Sequence, residues 1–306
     1  MHTFTTRGRA PMAFAAIWIA SAWPAAALAC ASCQCGDPTL TLMGVEKSYA
    51  GRLRFALDYS NRSEHQGTGL ERQHLQEDRT VFGASYAFSE NFSLALRVPL
   101  SSKSASNRTL AREEASGLGD AELTAKYTLG RSGQMTARHL WGVQAGLRLP
   151  TASEQKNDAG EPIDIDAQPG TGAWAASAGL WYGYFRFPRM LYASLSVLEP
   201  LDTGYQGLEQ GTAVLGTVTG QYALTPRWSL QLGLEGRIAD YNRFGGVRDD
   251  DSGGTAMFVA PGLVWAPATD WLVHVSGQLP VIRNLHGDQD ERGDLRVGIA
   301  YDFSTN

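Results

Sequence analysis

Gly117-Leu118-Gly119-Asp120-Ala121-Glu122-Leu123-Thr124-Ala125-Lys126-Tyr127-Thr128-Leu129 divides by parity into two kinds of residue. Ala121, Leu123, Ala125, Tyr127 and Leu129 share one parity, and Glu122, Thr124, Lys126 and Thr128 the other. A period of two belongs to a β-strand, whose successive side chains leave opposite faces. About ten such residues, bounded by glycine and carrying an aromatic near one end, are enough to cross a bilayer as one stave of a closed barrel.

Outward from this stretch the alternation recurs. Upstream, Leu53, Phe55, Leu57 and Tyr59 oppose Arg54, Ala56, Asp58 and Ser60; Phe82, Tyr86 and Phe88 mark a second segment, and Phe92, Leu94, Leu96, Val98 and Leu100 a third. Downstream come Trp141 to Leu149 and then segments at 173–186, 190–198, 211–224, 228–239, 255–265 and 271–282. A closing strand sets Leu295, Val297, Ile299, Tyr301 and Phe303 against Arg296, Gly298, Ala300 and Asp302. The fold class this predicts is all-β, a transmembrane antiparallel barrel of twelve strands, an even number that leaves both ends on one side. Pro99, Pro261 and Pro280 fall inside or at the ends of strands, where a missing N–H interrupts the ladder.

Connections alternate in length. Polar residues 61–78 and 101–116 read as loops, and 150–172 as the longest, whereas Ser89-Glu90-Asn91, Phe187-Pro188-Arg189 and Thr225-Pro226-Arg227 are tight turns. Barrels of the outer membrane show this asymmetry between extracellular loops and periplasmic turns. Phe88, Phe92, Tyr222, Trp228, Trp265, Trp271 and Tyr301 all lie beside the short turns or the closing end, forming one interfacial girdle. A soluble β-sandwich or lipocalin-like barrel is the competing class, since both alternate and carry tryptophan.

Composition agrees with a barrel: 34 Gly, 11 Tyr, 11 Phe and 8 Trp are spread through the chain, and only 19% of residues are charged. A net charge of -5 gives no basic face for nucleic acid, so no nucleic-acid partner is expected. Arg7 and Arg9 precede an apolar run from Pro11 to Ala22, and Ala27-Leu28-Ala29 offers small residues for cleavage, so 1–29 reads as a secretory signal peptide. Residues 30–50 form a Cys-rich leader, periplasmic or plugging, and 51–306 the barrel. The implied location is the outer membrane of a Gram-negative bacterium, with outer-membrane lipid and the barrel-assembly machinery as expected partners.

Gly117-Leu118-Gly119-Asp120 leading into a strand, Leu149-Pro150-Thr151 before a loop, and Gly170-Thr171-Gly172 ending it resemble the outer-membrane family named for the meta-cleavage pathway of phenol degradation. The resemblance covers roughly residues 50–303. It implies a transporter-like barrel passing small molecules, aromatic or apolar ones among them. The Cys-rich leader is a departure from the family pattern.

Inward parity selects Arg54, Asp58, Arg97, Glu122, Lys126, Arg148, Glu235, Arg237, His274, Arg296 and Asp302 as lumen candidates. They either set the selectivity of a polar conduit or pair with one another and stiffen the wall. Arg97 and Arg148, toward the outer ends of their strands, are the candidates for a constriction. Cys30, Cys33 and Cys35 admit a soft metal ion, one disulfide with a leftover thiol, or lipidation of Cys30. No other cofactor is expected. Asp249-Asp250-Asp251 and the group Asp288, Asp290, Glu291 and Asp294 read as solvated loop acids, with Ca²⁺ binding as the alternative. His274 is the one histidine expected well inside a strand; without a Gly-x-Ser-x-Gly elbow it predicts a wall residue and not an enzyme. Two functions follow as expectations: a passive channel for small solutes, or a non-conducting binding or assembly protein whose Cys leader holds a metal or redox partner.

Overall fold

The computed structural model describes residues 50–66, 73–107, 112–133 and 138–304 of the chain. The predicted signal peptide and Cys30, Cys33 and Cys35 lie outside the described residues.

Twelve strands form the wall. They are β1 (Arg52–Gln66), β2 (Gln73–Ala87), β3 (Phe92–Asn107), β4 in two segments (Glu113–Leu118 and Ala121–Ser132), β5 (His139–Leu149) and β6 (Ala175–Arg186). The second half comprises β7 (Arg189–Pro200), β8 (Ala213–Ala223), β9 (Trp228–Ala239), β10 (Gly254–Trp265), β11 (Trp271–Leu285) and β12 (Asp294–Ser304). Each pairs antiparallel with its chain neighbours, and β12 returns to β1 in register from Arg52↔Ser304 to Asn61↔Leu295. Closure leaves no row of unpaired N–H and C=O groups for lipid to face.

The two faces differ as the alternation requires. Phe55, Leu57, Leu180, Leu195 and Leu232 stand exposed on the outside, while Arg54, Ala56, Arg97, Glu235 and His274 are buried within. A soluble sandwich would bury the leucine face; only a lipid environment matches a surface this apolar. At the short-turn end the girdle is continuous in places: Trp228 and Trp265 are register partners stacked at 5.5 Å, and Trp271 meets Tyr301 at 4.7 Å. Tyr301 in turn meets Phe303 edge-on at 4.3 Å.

The strands run further outward than the polarity of the chain suggests. Segments 61–66 and 73–78, predicted as loop, are paired strand up to Gln66↔Gln73, and 101–107 pairs with 113–118 in the same way. Above the lipid the outer face meets water, so Asn61, Ser63 and His65 replace leucine and phenylalanine while the hydrogen-bond ladder continues. His65 and His74 are therefore strand residues too, facing each other across β1 and β2 with rings stacked at 4.5 Å. His139 opens β5, so His274 is not the single strand histidine.

Each in-strand proline has a local accommodation or place. Pro280 faces a register shift between Met257 and Phe258. Pro261 remains within β10 opposite Leu232. Pro99 lies across from the gap between the two β4 segments, where Gly119 N–H donates to its carbonyl at 2.8 Å. Having no N–H of its own to give, Pro99 leaves the following residue, Asp120, free to turn away from the ladder.

Candidate functional site

Asp120 uses that freedom to hold the 150–174 connection. Its carboxylate accepts from Ala152 N–H at 3.2 Å, from Thr171 N–H at 2.7 Å and Oγ1 at 2.9 Å, and from Gly172 N–H at 3.2 Å. Thr151 Oγ1 accepts from Ala121 N–H at 2.8 Å and donates to Gly119 O at 2.9 Å. Both ends of the loop are thus fastened to one point on β4. A Cβ at Gly170 would lie 2.9 Å from Asp120 Oδ1, so the close approach requires glycine there. The three short motifs that carry the family resemblance are therefore one structural device.

Between these ends the loop folds into the barrel mouth. Ile163 and Ala167 pack on Leu75, Ala105 and Ala115, inward residues of the raised strands. Buried Gln168 accepts from Gln155 N–H at 2.8 Å and donates to the carbonyls of Gln155 and Ile163. Asp166 shares a small recess with Arg62, Glu64, Glu77 and Lys103. Burial pushes its carboxyl up to about 7, and the neighbouring Asp164 adds to the rise.

Inside, all the sequence-selected lumen residues face inward, and most are paired. Arg97 Nη1 meets Glu122 Oε2 at 3.1 Å, and Glu122 stands in register with both Arg97 and Arg148. Arg148 donates to Gln210 Oε1 at 2.9 Å. Lys126 does not pair with Glu122; it donates to Tyr192 Oη at 2.8 Å, with its ammonium 4.8 Å from the Trp181 ring centre and 4.6 Å from that of Tyr192. Arg237 Nη2 meets Glu291 Oε1 at 2.8 Å, and Glu235 is met by Arg296 at 3.3 Å and by the Gln278 amide. Asp58 and His274 approach to 3.7 Å across Gly298, where any Cβ would overlap both. At the short-turn end Arg52 and Arg54 converge on Asp302 at 2.8 and 2.5 Å.

Several partners escaped sequence reading. Arg62, Glu64, Glu77, Arg79 and Lys103 continue the inward parity of their strands, but they sit in stretches too polar to look like strand. Of the supposed solvated acids, Glu291 is buried against Arg62 and Arg237, and Asp294 meets Arg296 at 3.2 Å. Asp250 pairs with Arg248 at 2.5 Å, and Asp251 accepts from Asp288 N–H at 2.8 Å. Among the described residues no group of three or more His, Cys, Asp or Glu is placed to hold a metal ion.

What remains open is a cavity of about 140 Å³ at mid-height, bordered by Asp58, Arg79, Arg97, Glu235, His274 and Arg296. Toward the short-turn end the interior is filled by Leu140, Trp181 and Tyr192 on one side and by Ala56, Val264 and Ala300 on another.

A closed twelve-strand barrel with a lipid-matched exterior and a charged, loop-narrowed interior is a transmembrane β-barrel of the outer-membrane kind. The chain belongs to the family described as putative MetA-pathway of phenol degradation, whose model matches residues 54–282. Among solved structures it is similar to an outer membrane channel from Pseudomonas putida F1, with a TM-score of 0.69 and 16% identity over 85% of this chain and 98% of that one. It is also similar to the translocator domain of the autotransporter NalP from Neisseria meningitidis, with a TM-score of 0.54 and 13% identity over 85% and 91% of the two chains. No curated protein sequence matches the chain.

Proposed function

We propose that this protein is a non-enzymatic outer-membrane channel of a Gram-negative bacterium, through which small solutes pass by diffusion. The observation that carries the reading is the polar cavity enclosed at mid-height by a closed barrel, beneath a mouth narrowed by the 150–174 loop. The likeness to the Pseudomonas putida channel supports it at the level of fold. Charged side chains around such a cavity replace part of a solute's hydration and reject solutes of the wrong charge. Small size is the consequence of the inward loop and of the side chains that fill the short-turn end.

That same filling favours a second reading, a barrel that binds without conducting, in which Cys30, Cys33 and Cys35 hold a metal or redox partner. Planar-bilayer recording separates the two. The channel reading expects discrete conductance steps from the purified, heat-modifiable protein, and a fully folded preparation that stays silent would overturn it. Loss of bound metal on replacing all three cysteines would then support the second reading.

A further inference from the structure

We infer that the lumen carries an anion site, built by Arg79, Arg97 and Arg148 and suited to a small carboxylate with an apolar body. The inference deepens the channel reading and rests on it for its transport half.

Charge bookkeeping around the cavity leaves one side unmatched. On the β9 to β12 side the carboxylates are answered: Glu291 by Arg62 and Arg237, Glu235 by Arg296 and Gln278, and Asp294 by Arg296. On the β2 to β5 side Arg79, Arg97, Arg148 and Lys103 share only Glu77 and Glu122 within electrostatic range, two more cations than carboxylates. Arg97 takes Glu122, Arg148 takes a neutral amide, and Glu77 accepts from Ser101 at 3.0 Å. Arg79 borders the cavity, and its buried Nε finds no acceptor.

A guanidinium removed from water and left without an acceptor is unfavourable, and a ligand carboxylate offers two oxygens matched to its fork. Like charges gathered on low-dielectric walls also raise the local concentration of anions. Opposite the arginines, Val81, Leu215 and Phe258 contribute apolar surface to the same cavity. Their side chains suit the body of the ligand and disfavour a fully hydrated ion.

Two measurements on the full-length protein test this. Calorimetry with sodium benzoate in detergent is expected to show saturable binding, with no binding of benzylamine. R79Q is expected to weaken benzoate by about tenfold or more. R79K, which keeps the charge and loses the fork, falls between. Equal affinity in wild type and R79Q, both heat-modifiable on gels, overturns the site, as does benzylamine binding as well as benzoate.

In bilayers under a KCl gradient the reversal potential is expected on the anion-selective side, moving toward zero in R79Q and further to the anion side in E122Q. Cation selectivity in wild type overturns the inference while leaving the channel standing. Benzoate binding by a protein that never conducts does the reverse. Should R79Q fail to fold, the comparison of benzoate with benzylamine on wild type still decides.

Discussion

Asp120 gathers four hydrogen bonds on one carboxylate, three of them from backbone N–H groups that the loop satisfies in no other recorded way. An amide at this position keeps the size but turns one acceptor oxygen into a donor facing other donors. Hydrogen bonds to a charged group are worth roughly 1.5–3 kcal/mol, so Asp120→Asn is expected to cost about 3 kcal/mol of loop anchoring. The barrel itself should survive, because its ladder does not pass through Asp120. Protease added to intact vesicles should then cut within 150–174 in the variant and not in wild type; equal resistance would show that the loop is held elsewhere.

At the scale of the element, the 150–174 loop carries its own titrating group. Asp166 has a carboxyl raised to about 7 by burial and by Asp164, with Lys103 opposing and Asp249 adding to the rise. A carboxyl whose folded value exceeds its unfolded one binds protons more tightly when packed, so packing is least strained below about pH 4 and is progressively disfavoured as pH rises toward 7. Wild-type loop protection against protease is expected to fall from pH 5 to pH 8. Asp166→Asn should abolish the dependence, and a variant that retains the wild-type slope would assign it to another group.

The elements also show what polarity can and cannot reveal. Between β5 and β12 the strands were legible almost to the residue, because lipid on one side and charge on the other imprint a period of two. Above the lipid both faces are wet, so Asn61, Arg62, Ser63 and Glu64 carry no hydropathy signal although each has a register partner on β2. That is why Arg97, Glu122 and Arg148 were found, and Arg62, Glu77 and Arg79, equally part of the lumen, were not. Parity counted onward from Asp58 would have placed Arg62 and Glu64 inside. Pairing partners were not legible at all: nothing in the sequence says that Lys126 seeks Tyr192 and leaves Glu122 to Arg97.

For the whole molecule, closure depends on the seam between the first and last strands. Asp302 lies at its short-turn end, taking Arg52 and Arg54 together. Removing one partner of a buried pair leaves its charge uncompensated, typically at a cost of 3–5 kcal/mol. With two guanidiniums affected, Asp302→Ala is expected to destabilise the barrel by about 3 kcal/mol. A lowered urea midpoint for the loss of the fast-migrating folded gel band would register this. An unchanged midpoint would mean that backbone pairing alone secures the seam.

The raised strands also lengthen the path. At about 3.4 Å per residue, a fifteen-residue strand such as β1 is roughly 50 Å long, and at a tilt near 40° it stands roughly 38 Å tall against an apolar band of about 25 Å. Some 13 Å of chimney therefore rises into the carbohydrate zone outside the bilayer. A pore behaves as a resistor in proportion to its length, so at equal bore this wall carries about two-thirds of the current of a flush one. The molecule would be a slow leak by construction, its entrance set among sugars and out of reach of the lipid headgroups.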